Sequence, residues 1–141
     1  MSSEISVSST IESRIESVDA AEERVRRFAS DSGVEEEDQY FISLAAREIL
    51  INAVKHGNHF DRNKKVLLRL IKTSDSMAIE VTDEGDGFQV EGVPNPHAEE
   101  NRERRSGRGL ALAMAIMDEF VVTKKLPHGT HVRMVKHFVA S

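Results

Sequence analysis

The chain has no cysteine, which excludes disulfides, thiolate zinc sites and a cysteine nucleophile and suits a reducing compartment. It has no long basic block either. With 19 lysines and arginines against 24 aspartates and glutamates, the formal net charge is −5 and the pI is about 5.7. That balance lacks the electrostatic footprint of a nucleic-acid binder, so no direct nucleic-acid partner is expected. No apolar run reaches the roughly 20 residues of a membrane span, and none near the start resembles a secretory signal. The expected location is therefore the cytoplasm, with no membrane partner. Internal repeats and low-complexity tracts are also missing.

What is present reads as one globular domain spanning 1–141, because 141 residues suffice for one sizeable core and not comfortably for two. Residues 5–11, ISVSSTI, alternate apolar and small polar side chains as a half-buried or edge strand does. From about Arg14 to Ser30, Ile15, Val18, Ala21, Val25 and Phe28 recur at helical spacing, with Gly33 as the stop. A second helix, about Glu36 to His56, is so rich in apolar residues that it must be largely buried; Gly57 and Asn58 end it. Lys65–Lys72 and Met77–Thr82 read as strands joined by Ser74-Asp75-Ser76. Residues 89–106 lose periodicity, hold Pro94 and Pro96, and end in a mixed charge run, the profile of a functional loop. A third helix, about Arg108 to Asp118, and strands Phe120–Lys125 and Thr130–Phe138 complete the chain. That order suggests an α+β layer with the helices on one sheet face.

Three motifs stand in fixed order on these elements. Glu48, Asn52 and His56 are spaced i, i+4, i+8 on the second helix, one polar stripe on an apolar element. A solvated face would look the same, but asparagine is a poor choice for mid-helix. Its amide oxygen suits magnesium, which takes few protein ligands and completes its octahedron with phosphates and water. Glu48, one turn earlier, could accept a proton from an attacking hydroxyl. His56-x-x-His59 has the spacing of metal ligands but no third partner nearby in sequence.

Asp83, Gly85 and Gly87 follow a strand. They suit a plain turn, or an aspartate that binds an exocyclic amine while glycines let a flat base approach the backbone. Gly107-Arg108-Gly109-Leu110 opens a helix, whose free N–H groups and positive dipole end favour phosphate. It is not the dinucleotide fingerprint, because no strand precedes it. Arg102, Arg104, Arg105 and Arg108 cluster beside it, as a solvated run or as phosphate contacts. The phosphate loop G-x-x-x-x-G-K-[ST] and the kinase signatures H-R-D and D-F-G do not occur, which removes two standard ATP folds.

Over roughly Glu36 to Phe138 these motifs resemble the N, G1 and G2 boxes of the GHKL ATP-binding superfamily. Among its branches the chain looks like the bacterial anti-sigma-factor serine kinases, free-standing domains of about this size. The resemblance implies the Bergerat ATP-binding fold, a two-layer α/β sandwich with a mixed, mostly antiparallel sheet and about three helices on one face. It implies ATP and Mg2+ as cofactors. Glu48 would be the catalytic base, Asn52 the magnesium ligand and His56 part of the nucleotide site. Asp83 would bind the adenine amine, with Gly85 and Gly87 shaping the pocket. Gly107, Arg108, Gly109 and Leu110 would line the phosphates under a lid of about 89–106. Arg105 resembles an arginine directed at the γ-phosphate, and Thr130 a threonine that assists adenine binding through water. The implied partners are a small anti-anti-sigma (STAS-type) protein phosphorylated on serine and a sigma factor, with homodimer pairing through Ile5–Ile11. Two alternatives stay open: a nucleotide-gated binding module without kinase activity, and an isolated histidine-kinase-type ATPase domain. The second lacks a helical segment with an acceptor histidine.

Overall fold

A computed structural model of the chain describes residues 4–85, 105–125 and 128–138, with the side chains of 105–109 outside that description. The elements run β1 (Ile5–Glu12), α1 (Ile15–Asp31), α2 (Glu36–Asn52), a π-helical turn (Ala53–Gly57), β2 (Lys65–Lys72), β3 (Ser76–Thr82), α3 (Arg105–Ile116), β4 (Glu119–Lys124) and β5 (Thr130–His137). The five strands form one sheet in the order β1-β2-β3-β5-β4. Every pairing among the described residues is antiparallel, so the expected parallel component of the sheet is absent there.

Alternation along the strands sorts side chains onto two faces. Val66, Leu68 and Leu70 of β2, Met77, Ile79 and Val81 of β3, and Val132 and Met134 of β5 share one core with the helices. From α1 that core takes Val18, Ala21, Val25 and Ala29, at helical intervals. From α3 and the residue just past it come Leu110, Ala113 and Met117. The helix α2 packs against both other helices and buries Ile42, Ala45, Ala46, Ile49 and Leu50. Three acidic residues in its first turn, Glu36, Glu37 and Asp38, complement the positive end of its dipole.

The opposite sheet face is polar. Register puts Glu80 between Arg69 and Arg133, and its carboxylate meets them at 3.7 and 2.5 Å. Only a small apolar group, Ile71, Ala78 and Val135, is buried there.

Two boundaries differ from the sequence expectation by three residues or more. The second helix is α-helical only to Asn52. It then widens into the π turn, where Asn58 N–H donates to Ala53 O at 2.8 Å, five residues back. The third helix begins at Arg105 rather than Arg108, because Arg105 and Arg108 are good helix formers and Leu110 anchors the helix in the core. Gly107 thus lies in the first turn, where N–H groups lack intrahelical partners, and Gly109 lies beyond it.

Candidate functional site

The site is assembled at the end of β3, where Gly57 of the π turn abuts Asp83. Because β3 and β5 are antiparallel neighbours pairing Thr82 with His131, the next rung brings Asp83 onto Thr130. Asp83 N–H donates to Thr130 O at 2.9 Å. In return Thr130 N–H and Gly85 N–H donate to Asp83 Oδ1 at 3.2 and 3.0 Å. The residue Asp83 is only 3% exposed. Burial pushes its carboxyl above the usual range, and the bonds from Gly85 and Thr130 and the charges of Lys64 and His59 pull it back down. One oxygen is thereby fixed by the backbone.

Glycines close around this carboxylate. A Cβ on Gly57 would overlap Asp83 Oδ2, one on Gly85 would overlap Gly57 O, and one on Gly129, at φ 113°, would crowd Asp83 O. The three glycines come from the π turn, the end of β3 and the start of β5. The site therefore presents a buried acceptor flanked by bare backbone, a surface that a planar group can approach closely. Beside it Thr130 is 1% exposed, and its Oγ1 is buried without a hydrogen-bond partner. Such a group is rare in a folded protein. An adenine with its bound water would satisfy it, so the residues fit a base there.

A buried bracket holds these pieces together. Asn58, with 0% exposure, donates from Nδ2 to Ser13 Oγ at 2.9 Å and Lys65 O at 3.1 Å. Its Oδ1 accepts from Glu84 N–H at 2.9 Å. Ser13 Oγ in turn donates to Lys64 O. Neither Asn58 nor Ser13 stood out in the sequence; a buried asparagine and a helix-terminating one look alike there. The same holds for Gly57, which read as the end of a helix.

On α2, Asn52 is 4% exposed, so it does not belong to a solvated face. Glu48, one turn earlier, is half-buried. Burial pushes its carboxyl up, the adjacent Arg47 guanidinium pulls it down, and Glu22 of α1 pushes it up again. Arg47 is itself held by Asp19 at 2.6 Å and Glu22 at 3.0 Å. The helix α2 thus carries a carboxylate whose proton affinity burial raises and a buried amide one turn apart, and the π turn carries the same chain on to Gly57 at the Asp83 carboxylate. His56 is half-buried in that turn. Among the described residues no three His, Asp or Glu side chains form a metal cluster, which leaves the His56–His59 spacing without the ligands zinc needs.

Leu110 is buried in the core at 2% exposure and anchors α3. Residues 86–104, which include Gly87, Arg102, Arg104 and all but the last two positions of the expected lid at 89–106, lie outside the described residues, as do the side chains of Arg105 and Arg108. No described helix is long and apolar enough to cross a membrane.

Comparison with known proteins bears on this arrangement. The profile of the histidine kinase-like ATPase domain matches residues 11–136. The anti-sigma F factor of Geobacillus kaustophilus is 31% identical over 102 residues, covering 71% of this chain and 70% of that protein. The serine-protein kinase RsbW of Bacillus licheniformis is 30% identical over 114 residues, covering 77% and 70% respectively. Among solved structures, the RsbU and RsbW domains of Rv1364c from Mycobacterium tuberculosis match with a TM-score of 0.68 at 17% identity, over 97% of this chain and 34% of that longer one. This last likeness concerns the fold alone.

Proposed function

We infer that this chain, which belongs to the family of histidine kinase-like ATPase domains, is an ATP-dependent serine protein kinase that doubles as an anti-sigma factor, as its relatives' names describe them. The observation that carries the nucleotide part is the Asp83 carboxylate, buried and walled by Gly57, Gly85 and Gly129, with the orphaned Thr130 hydroxyl beside it. Asp83 accepts the exocyclic amine of adenine, and Thr130 Oγ1 completes the water contact. Gly107 offers its N–H to the phosphates from the first turn of α3, while Gly109 and Arg108 line that approach. Gly87 would shape the base pocket beside Gly85, the part of the expected lid that precedes α3 would cover the phosphates, and Arg105 would be directed at the γ-phosphate.

Asn52 would hold Mg2+ through its amide oxygen, beside His56. The ion would supply positive charge to offset that building on the phosphates during transfer. Glu48 takes the proton of the acceptor serine as its Oγ forms a bond to the γ-phosphorus and the bond to the ADP oxygen breaks. Its raised pKa, set by burial, keeps it basic enough for that task. The acceptor is a small anti-anti-sigma protein of the STAS type, whose modification frees this chain to hold a sigma factor in the cytoplasm. The edge strand β1, with Ile5 54% and Val7 45% exposed, would pair two copies.

The test is transfer from γ-labelled ATP with magnesium into lysate of the source organism, with Asn52→Ala as control. A small labelled protein whose phosphate survives acid, seen only with the wild type, supports the kinase. Retained ATP binding without transfer makes the chain a nucleotide-gated binding module instead, and acid-labile label points to a phosphohistidine.

A further inference from the structure

Behind the Asp83 carboxylate runs a closed ring of hydrogen bonds. Asn58 Nδ2 donates to Lys65 O at 3.1 Å, Lys65 N–H donates to Glu84 Oε2 at 2.6 Å, and Glu84 N–H donates to Asn58 Oδ1 at 2.9 Å. Each of the three residues is bonded to the other two. The orientation of the Asn58 amide follows from its partners, since a backbone carbonyl only accepts and a backbone N–H only donates. Helix termination does not explain an asparagine here. Its φ is −89°, outside the left-handed region that favours asparagine past a helix end, so the side chain is what the position uses.

The ring bears on the pocket through residue 84. Glu84 lies between Asp83 and Gly85, and Gly85 N–H is one of two backbone groups that hold Asp83 Oδ1. The other, from Thr130, comes with the strand pairing, whereas the bond from Gly85 depends on the path of the chain through 84. The Gly57 carbonyl, next to Asn58, packs on Gly85 so closely that a Cβ there would overlap it. The backbones at 57–58 and 84–85 therefore have no room to slide past each other. Because Asn58 is 0% exposed, bulk water does not stand in for its side-chain bonds if they are removed.

We infer that Asn58 is a positioning residue for base selection: by holding the Glu84 N–H it keeps the Asp83 carboxylate aligned on the exocyclic amine of adenine, and so sets the preference for an aminopurine over an oxopurine. This rests on the adenine reading of the Asp83 pocket. Hypoxanthine carries an oxygen where adenine carries the amine, which sets acceptor against acceptor at Asp83. Loss of alignment therefore weakens an adenine ligand and spares a hypoxanthine one.

The test is calorimetric titration of ADP and of IDP, each with magnesium, into the wild type, Asn58→Ala and Asn58→Ser. Val25→Ala, in the core side of α1, serves as a destabilised control, and circular dichroism establishes that each protein is folded at the temperature used. Asn58→Ser keeps a hydroxyl for its neighbours but is too short to reach Glu84 N–H, so it carries the test should Asn58→Ala not fold. The wild type should prefer ADP by about 10- to 150-fold, the worth of a hydrogen bond to a charged group. In both Asn58 variants that ratio should fall by about 5-fold or more, the equivalent of one ordinary hydrogen bond, through weaker ADP binding, while Val25→Ala keeps the wild-type ratio. A wild-type ratio in a folded Asn58 variant overturns the inference, as does an equal fall in Val25→Ala. So does failure of both Asn58 variants to fold, which makes Asn58 a residue of the fold alone. A wild type that binds neither nucleotide, or both equally, overturns the adenine reading itself and the inference with it.

Discussion

Glu48 and Asp83 are both raised by burial, and the sign of that shift has two consequences at the scale of single residues. The folded chain retains protons that the unfolded chain has already released. The stability these two groups contribute is therefore full below the ordinary carboxylate pKa and is lost as pH rises through the raised values. Replacing Glu48 by glutamine removes one buried charge, so Glu48→Gln should unfold at the wild-type temperature or higher at pH 7. If Glu48 is the base, the same variant transfers phosphate roughly 10²–10⁴-fold more slowly. Paired melting and phosphotransfer measurements check both, and the acid limb of the wild-type rate profile should lie above the ordinary carboxylate range. Gly57→Ala is the steric counterpart. Its Cβ would meet Asp83 Oδ2, so it should cost about 1–3 kcal/mol and abolish ADP binding by calorimetry. At this scale the sequence showed the residue types but not their surroundings. Asn52 had a solvated alternative that its 4% exposure removes, and Asn58 gave no sign of its three side-chain bonds.

Elements meet through two clamps. Arg47 ties α2 to α1 through Asp19 and Glu22, with its side chain 31% exposed. Arg47→Ala should therefore cost about 1 kcal/mol or less. Its larger effect is electrostatic: with that positive charge gone, the acid limb of the rate profile moves to higher pH, a shift that phosphotransfer at several pH values would reveal. Asn58 joins the β1–α1 junction, the start of β2 and the end of β3. Asn58→Ala leaves buried groups unpaired and should cost on the order of 3 kcal/mol, read as a lower denaturant midpoint at unchanged m-value. The identities and order of the elements were legible because their periodicities are strong: residues 5–11 alternate, and Val18, Ala21, Val25 and Ala29 follow helical spacing. The boundaries were not. The π turn depends on Gly57 reaching a carboxylate 26 residues further on, and no local preference encodes that. The early start of α3 reflects arginines that read equally well as the end of a loop.

At the scale of the whole molecule, β1 is an edge of the sheet among the described residues and carries no lysine or proline to blunt it. If two copies pair along it, Val7→Lys should convert a dimer to a monomer in light scattering while leaving ADP affinity unchanged. On the polar sheet face Arg69 and Arg133 are 44% exposed and Glu80 15%; both guanidinium groups can hydrate once the carboxylate is gone, so Glu80→Ala should cost about 1 kcal/mol.

The sequence by itself determined which segments are helices and strands, that their apolar faces share one core, and which residue types stand at the three motifs in which order. These follow from periodicity and from the chemistry of single side chains, which are local. Only the tertiary structure decided that β5 lies between β3 and β4, that Asp83 therefore meets Thr130 across 47 residues, and that Gly57, Gly85 and Gly129 converge on one carboxylate. Contacts between distant segments depend on how the whole chain closes its core, and no short stretch of sequence carries that information.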